Sequence, residues 1–317
     1  MSTDPRFPPD PEHQPRKVSV QKDVLIDTSR DNRPVPIKAV YPVKHDLRNL
    51  PVIFWSHGLG GSCDGAGFLA RYLASHGYVV INLQHKGSDS ALWEGKPGHP
   101  WDNIRKSKVT REDTLARFYD VPFVLDTLPQ WAKDNPEIGQ MMDLETIGMS
   151  GHSFGAATTQ IMAGQMLGHG EEMFSLKDDR FKAGISYSPS VTYNKDEDPQ
   201  KLYSPISIPM FYMTGTEDAS PVTGESYEYR LDIYDHARGP HQYLMILDEG
   251  DHMVFAGSRG KLGENPKREM HERLIRAMAL MFWNAYLKDD DKALEWLQSD
   301  WAENWLGPEA ELRLKNL

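Results

Sequence analysis

A buried-strand pattern, Leu144 to Met149, runs into a helical pattern, Ala156 to Leu167, through the five residues Gly151-His152-Ser153-Phe154-Gly155. A glycine-x-serine-x-glycine turn in that setting puts the serine on a sharp, strained bend. The flanking glycines let neighbouring backbone approach without a Cβ clash and leave Oγ exposed above a sheet. Ser153 is thereby the candidate nucleophile, against the alternative of a serine that merely caps the following helix.

The rest of the chain repeats this alternation. Strand-type runs occur at Val18 to Ile26, Val35 to Tyr41, Pro51 to Ser56, Tyr78 to Leu83, Leu144 to Met149, Lys182 to Ser186, Pro209 to Thr214 and Gln242 to Leu247. The third and fourth, and those from the fifth to the eighth, are continuously apolar, as parallel strands covered on both faces are. Helical patterns lie between and after them, at Phe68 to Ser75, Arg111 to Asp134, Ala156 to Leu167, Gly224 to Ala237, Pro266 to Leu287 and Asp291 to Gln298. The expected fold is α/β, a mostly parallel eight-stranded sheet with helices on both faces and an antiparallel edge formed by the first two strands. Pro5, Pro8, Pro9, Pro11 and Pro15 break any periodicity at the start, so residues 1–16 read as a flexible, proline-rich tail and residues 17–317 as one domain. Gln84 to Thr110, Gly168 to Arg180 and Ser188 to Ile208 fit neither pattern. The first and third leave the carboxyl ends of strands, where such sheets hold their sites, and are expected to frame a pocket.

Composition removes whole classes of function. A net charge of −11 repels phosphate backbones, so nucleic acid is not an expected partner. The single cysteine, Cys63, excludes an intrachain disulfide framework and reads as a small buried side chain. No run approaches the ~18 apolar residues of a membrane span, and Met1 to Arg16 lacks the apolar core of a signal peptide. The default expectation is a cytoplasmic protein with no integral membrane segment, secretion staying open to a chain whose leader has been removed. Without an H-E-x-x-H pattern or paired cysteines, neither a catalytic metal nor a cofactor is expected.

A serine hydroxyl is a weak nucleophile at neutral pH and needs a base within reach and an acid to orient that base. Gly215-Thr216-Glu217-Asp218 follows one apolar run and Asp248-Glu249-Gly250-Asp251-His252 follows the last. The candidate triad is Ser153, Asp218 and His252, with Glu217 and Asp251 as rival acids. Serine, acid, histidine is the chain order of α/β-hydrolases. The glycine-rich segment Ser56-His57-Gly58-Leu59-Gly60-Gly61-Ser62 follows the third strand, where that architecture draws an oxyanion-binding N–H, so the backbone donors assigned are those of Leu59 and Phe154. His57, His85, Trp93, Trp101, His152, Tyr187 and Phe255 are the expected pocket walls.

His57-Gly58-Leu59-Gly60-Gly61, the elbow, and Ala74-Ser75-His76-Gly77-Tyr78-Val79-Val80 resemble the α/β-hydrolase branch of platelet-activating-factor acetylhydrolase-like and dienelactone-hydrolase-like proteins, over about Val18 to Leu297. The resemblance implies a calcium-independent carboxylic ester hydrolase whose oxyanion donors match Leu59 and Phe154. Two departures stand out. The acetylhydrolases take their acid from the end of the strand after the elbow, where this chain has Ile185-Ser186-Tyr187-Ser188-Pro189 with no carboxylate. The acid must then come from the next strand, as in cutinase-like polyester hydrolases and most lipases, which again selects Asp218. Dienelactone hydrolases use cysteine at the elbow, whereas this chain has serine.

The expected activity is therefore that of a serine carboxylesterase on short- to medium-chain acyl esters. Its alternatives are a phospholipid acyl hydrolase of the acetylhydrolase type, a cutinase-like polyester hydrolase, and a ligand-binding protein on a hydrolase fold. The expected partner is a small-molecule or lipid-like ester.

Overall fold

The computed structural model describes residues 8–43, 46–191, 197–257 and 265–317. Among these described residues eleven strands and ten α-helices form in chain order. The first half comprises β1 (Val18–Asp27), β2 (Arg33–Pro42), β3 (Leu50–Ser56), α1 (Gly67–Ser75), β4 (Val79–Leu83), α2 (Pro100–Lys106), α3 (Arg111–Asp134), α4 (Pro136–Gly139), β5 (Met142–His152) and α5 (Phe154–Ala163). The second comprises β6 (Met166–Leu167), β7 (Phe174–Ser175), β8 (Phe181–Tyr187), α6 (Pro199–Tyr203), β9 (Met210–Glu217), α7 (Leu231–His236), β10 (Gln242–Asp251), α8 (Arg268–Leu287), α9 (Asp291–Gln298), α10 (Asp300–Leu306) and β11 (Ala310–Lys315).

Nine strands build one sheet in the order β1-β2-β4-β3-β5-β8-β9-β10-β11, and β6 pairs β7 to one side. From β4 to β10 every pairing is parallel, while β1 and β2 form the antiparallel edge the alternation predicts. This is the α/β-hydrolase arrangement. It corrects the expectation of eight strands: the ninth, β11, pairs antiparallel with β10. Its sequence, Ala-Glu-Leu-Arg-Leu-Lys, alternates because only one face of that edge is covered.

Both faces of the central strands are buried. On one, Ile53, Trp55, Ile185 and Met213 pack with α1 and α8; on the other, Val52, Phe54, Val79 and Met149 pack with α3 and α5. Each such side chain contributes about 1.5–3 kcal/mol by leaving water, which fixes the register of the strands and so the heights at which they end. The long α3 begins at a reciprocal cap: Thr110 Oγ1 accepts the Asp113 N–H at 3.0 Å and the Asp113 carboxylate accepts that of Thr110 at 3.4 Å. Helix α5 is shorter than its pattern because Gly164, at φ 126°, ends it. The pattern Gly224 to Ala237 resolves into a 3-10 turn, Tyr227–Arg230, and α7. Of the tail, residues 1–7 lie outside the described residues. The Asp10 carbonyl accepts the Tyr72 hydroxyl, and Arg16 donates to the Ser75 carbonyl on α1.

Candidate active site

Three strand ends meet at one cleft. At the end of β5, Ser153 adopts φ 54° and ψ −115° and opens α5. This strained conformation is what an elbow requires, because the strand must reverse into a helix within one residue. The reversal presses α5 onto β3: a Cβ on Gly155 would lie 1.9 Å from the Ser56 carbonyl oxygen, so no other residue fits there. The Ser153 N–H donates to the Tyr187 carbonyl at 2.9 Å, tying the elbow to β8.

Asp218 stands in the turn after β9 and is fully buried. Its Oδ1 accepts the His252 Nδ1–H at 2.7 Å and the Ser188 hydroxyl at 2.9 Å; its Oδ2 accepts the Thr214 hydroxyl at 2.8 Å. Burial pushes this carboxyl up, but the Arg230 guanidinium and His252 outweigh it and hold Asp218 below the ordinary carboxylate range. Once Nδ1 is committed to Asp218, the His252 Nε2 is left as the acceptor. His252 and Ser153 line the same cleft, and no hydrogen bond joins them among the described residues. Such contacts are often long until a substrate arrives. Neither rival acid meets the imidazole: Glu217 is exposed, and Asp251, though it lines the cleft, has its carboxylate engaged by Met253 N, Val254 N and Asn265 Nδ2.

The glycine-rich loop after β3 faces the elbow. Its course is fixed by Gly60 N–H donating to Ser88 O at 2.8 Å, Trp93 Nε1–H donating to Gly60 O at 2.7 Å, and His57 Nδ1–H donating to Gly58 O at 2.7 Å. Phe154 is the first residue of α5, so its N–H has no acceptor one turn back. The Leu59 N–H enters no backbone hydrogen bond among the described residues. Two N–H groups, one from the loop and one from a helix start, are thus available beside Ser153.

The cleft has a volume of about 190 Å³. Of the expected walls, His57, Trp93, Trp101 and His152 line it, together with Trp55, Ile104, Val222, Met253 and Arg268. His85, Tyr187 and Phe255 do not, which corrects their placement. His85 lies deeper, accepting from Ser56 Oγ and donating to Asp120 Oδ2, both at 3.0 Å. Tyr187 packs between Trp55 and Phe255 in the core, with ring centroids 5.3 and 6.2 Å away. Of the irregular segments, Gln84 to Thr110 supplies Trp93, Pro100, Trp101 and Ile104, whereas no described residue of Ser188 to Ile208 lines the cleft. His152 Nε2–H donates to the His252 carbonyl at 2.8 Å. Burial, followed by the proximity of His252, lowers the His152 imidazole to about 3, so it is neutral at physiological pH.

Pattern reading missed Ser188, Thr214 and Arg230, which surround the acid, and Trp55 and Arg268, which line the cleft. Ser188 carried one signal, its place at the end of β8 between two candidate strands. Arg230, in the 3-10 turn before α7, carried none. Among the described residues no three His, Cys, Asp or Glu side chains are grouped to hold a metal ion. No described helix is long and apolar enough to cross a membrane.

Comparison with known proteins points to one branch of this fold. The family model described as platelet-activating factor acetylhydrolase, isoform II, matches residues 15–98, a span that includes the glycine-rich loop and ends before the elbow. A platelet-activating factor acetylhydrolase of Canis lupus familiaris is 26% identical over 190 residues, covering 51% of this chain and 39% of the relative. The chain thus spans about two fifths of that relative's length. Both findings support the resemblance to the acetylhydrolase-like α/β-hydrolases.

Proposed function

We propose that the protein is a serine carboxylic ester hydrolase acting on short acyl esters through an acyl-enzyme. The observation that carries this reading is the buried Asp218–His252 hydrogen bond of 2.7 Å, in a cleft shared with the strained Ser153 elbow. Ser153 Oγ attacks the ester carbonyl while His252 Nε2 takes its proton. Asp218 holds the imidazole in the tautomer that leaves Nε2 free and stabilises the imidazolium that forms. The Leu59 and Phe154 N–H groups receive the oxyanion. The imidazolium then protonates the departing alkoxide, and a water activated by His252 releases the acid and regenerates Ser153.

The volume of about 190 Å³ favours a short acyl group. A polyester chain needs an open groove. Here α2 carries Trp101 and Ile104 over the cleft, and Arg105 Nε donates to the Pro221 carbonyl at 2.9 Å from across it.

A second reading, a phospholipid acyl hydrolase, draws support from unpartnered donors on two residues of the cleft wall, besides the similarity to acetylhydrolases. Trp55 Nε1 and Arg268 Nη2 are buried with no hydrogen-bond partner among the described residues. Buried donors of that kind favour a ligand bearing acceptor oxygens, which a phosphate or an oxidised acyl chain supplies.

The test is hydrolysis of p-nitrophenyl esters from acetate to palmitate by the protein and its Ser153→Ala variant, beside a short-acyl phospholipid in vesicles. Serine-dependent turnover peaking at short chains supports the esterase; turnover confined to the phospholipid favours the second reading. Activity that survives Ser153→Ala refutes both.

A further inference from the structure

Arg117, on α3, is completely buried, and no carboxylate lies within ion-pair distance of it among the described residues. Asp120, the acid acting most strongly on it, is occupied by Arg30, Arg33 and His85 at 2.7–3.0 Å. Burial lowers the Arg117 guanidinium to about 9, with Asp120 and Asp89 acting in the opposite direction. A buried charge without a touching counter-charge is costly to keep. It persists here on neutral acceptors that take up four of its five N–H groups.

Those acceptors fall into two groups. On the elbow side, Nε donates to Thr158 Oγ1 at 3.0 Å, and the guanidinium carbon stands 4.4 Å from the centre of the Phe154 ring. Thr158 Oγ1 in turn donates to the Phe154 carbonyl at 3.0 Å. On the loop side, Nη2 donates to Ser56 Oγ at 2.8 Å and to the His57 carbonyl, and Nη1 to Ser88 Oγ at 2.9 Å. Ser88 is the residue whose carbonyl holds the Gly60 N–H. A single planar group therefore ties the start of α5 to the loop carrying Leu59.

We propose that Arg117 is the positioning residue of the oxyanion site: its fork sets the separation and direction of the Leu59 and Phe154 N–H groups. The proposal rests on the esterase reading above. Five donors fixed in one plane suit this task, whereas a lysine supplies the charge without the geometry. Arg117 touches no substrate; its effect passes through His57, Ser88 and Thr158.

The experiment measures kcat and KM on p-nitrophenyl acetate, and inhibition by a short alkyl trifluoromethyl ketone, which adds to the serine and leaves an oxyanion. It compares the full chain with Arg117→Lys, Arg117→Met, Thr158→Val and Thr158→Ser, each checked for its melting temperature. In Arg117→Lys kcat is expected to fall about tenfold to a hundredfold, the scale of a small misplacement of catalytic groups. KM stays within about twofold, and ketone affinity falls in step with kcat. Thr158→Val loses less, and Thr158→Ser, which keeps the acceptor, recovers most of that loss. Should Arg117→Met fail to fold, the lysine variant and the Thr158 pair carry the test. Unchanged kcat in folded Arg117→Lys, or a fall in kcat with ketone affinity intact, overturns the proposal. Turnover persisting in Ser153→Ala overturns the serine reading beneath it, so the two failures are told apart.

Discussion

The Arg230 guanidinium lies 3.2 Å from Asp218 Oδ1, in a site where the carboxylate is fully buried. The same nitrogen lies 3.2 Å from His252 Nδ1, while Arg230 Nε donates to the Asp218 carbonyl at 2.9 Å. The acid is thereby held at its side chain and its backbone by one cation. Removing a partner from a buried ion pair leaves the other charge uncompensated, so Arg230→Met is expected to cost about 3 kcal/mol at neutral pH. The pH dependence follows from the lowered Asp218 value. A carboxyl depressed in the fold contributes stability that is fully present above its unfolded value near 4 and is lost as pH falls through the folded value. Without Arg230 the folded value rises toward the unfolded one, so the variant has less of this contribution to lose and the gap between the two proteins narrows as pH falls. Urea unfolding of both proteins at pH 7 and pH 4.5 checks this; an Arg230→Met variant with unchanged midpoints contradicts it.

Asp218→Asn is expected to lower kcat about 10³-fold or more, because the amide NH2 can donate to His252 Nδ1 and favour the tautomer that protonates Nε2, and because a neutral amide does not stabilise the imidazolium. Glu217→Gln, at an exposed side chain, should leave both kcat and stability unchanged. Asp251→Asn weakens the turn capped by Met253 N and Val254 N, so its loss is expected in melting temperature. A large kcat loss in Asp251→Asn with stability intact would move the acid assignment to Asp251.

How far the site was legible tracks how local its signals are. The elbow was readable because a strand period, two close glycines and a helix period occupy a short stretch; Asp218 and His252 were readable because each follows a buried run by a few residues. Arg117 meets Ser56 across 61 positions and Arg230 meets Asp218 across 12, so only the folded sheet brings them together. Strand β11 was missed because a short alternating run after three helices has the look of an amphipathic tail until β10 offers its edge. His85, Tyr187 and Phe255 were placed in the cleft by proximity along the chain, but Tyr187 at the end of β8 and Phe255 beyond β10 turn into the core, and His85 beyond β4 turns inward to Ser56 and Asp120.

Acid should begin to destabilise the protein well above the carboxylate range. Burial, with Arg117 reinforcing it, lowers His85 to about 4 and His57 well below its ordinary value, and burial with His252 lowers His152 to about 3. All three imidazoles are neutral in the fold and protonate near pH 6.5 when unfolded. Stability is therefore fully present above about pH 6.5 and falls below it, by up to about 1.4 kcal/mol per pH unit for each ring. The expected melting temperature at pH 5 is on the order of 10 °C below that at pH 7.5. A flat melting temperature between those values would mean that the rings take up protons within the fold.

Gly60 and Gly67 should respond in opposite ways to alanine. Gly60 sits at φ 73°, where an L side chain is strained by about 1–2 kcal/mol, and a Cβ there would lie 2.6 Å from Ile104 Cδ1 and 3.3 Å from Trp93 Cδ1. Both neighbours line the cleft, and Trp93 donates to the Gly60 carbonyl. The added methyl must push α2 outward or turn the loop that carries Leu59, so Gly60→Ala is expected to lower kcat/KM by about tenfold or more as well as to destabilise. At Gly67, the first residue of α1, a Cβ meets nothing within 4 Å and φ is not positive. There alanine restricts the unfolded chain and favours the helix, so Gly67→Ala is expected to gain about 0.5 kcal/mol with kinetics unchanged. Kinetics and thermal melts of the two variants side by side decide the matter. Equal losses in both would mean that α1 and the loop respond as one unit; an active, stable Gly60→Ala would show that α2 does not bear on the cleft.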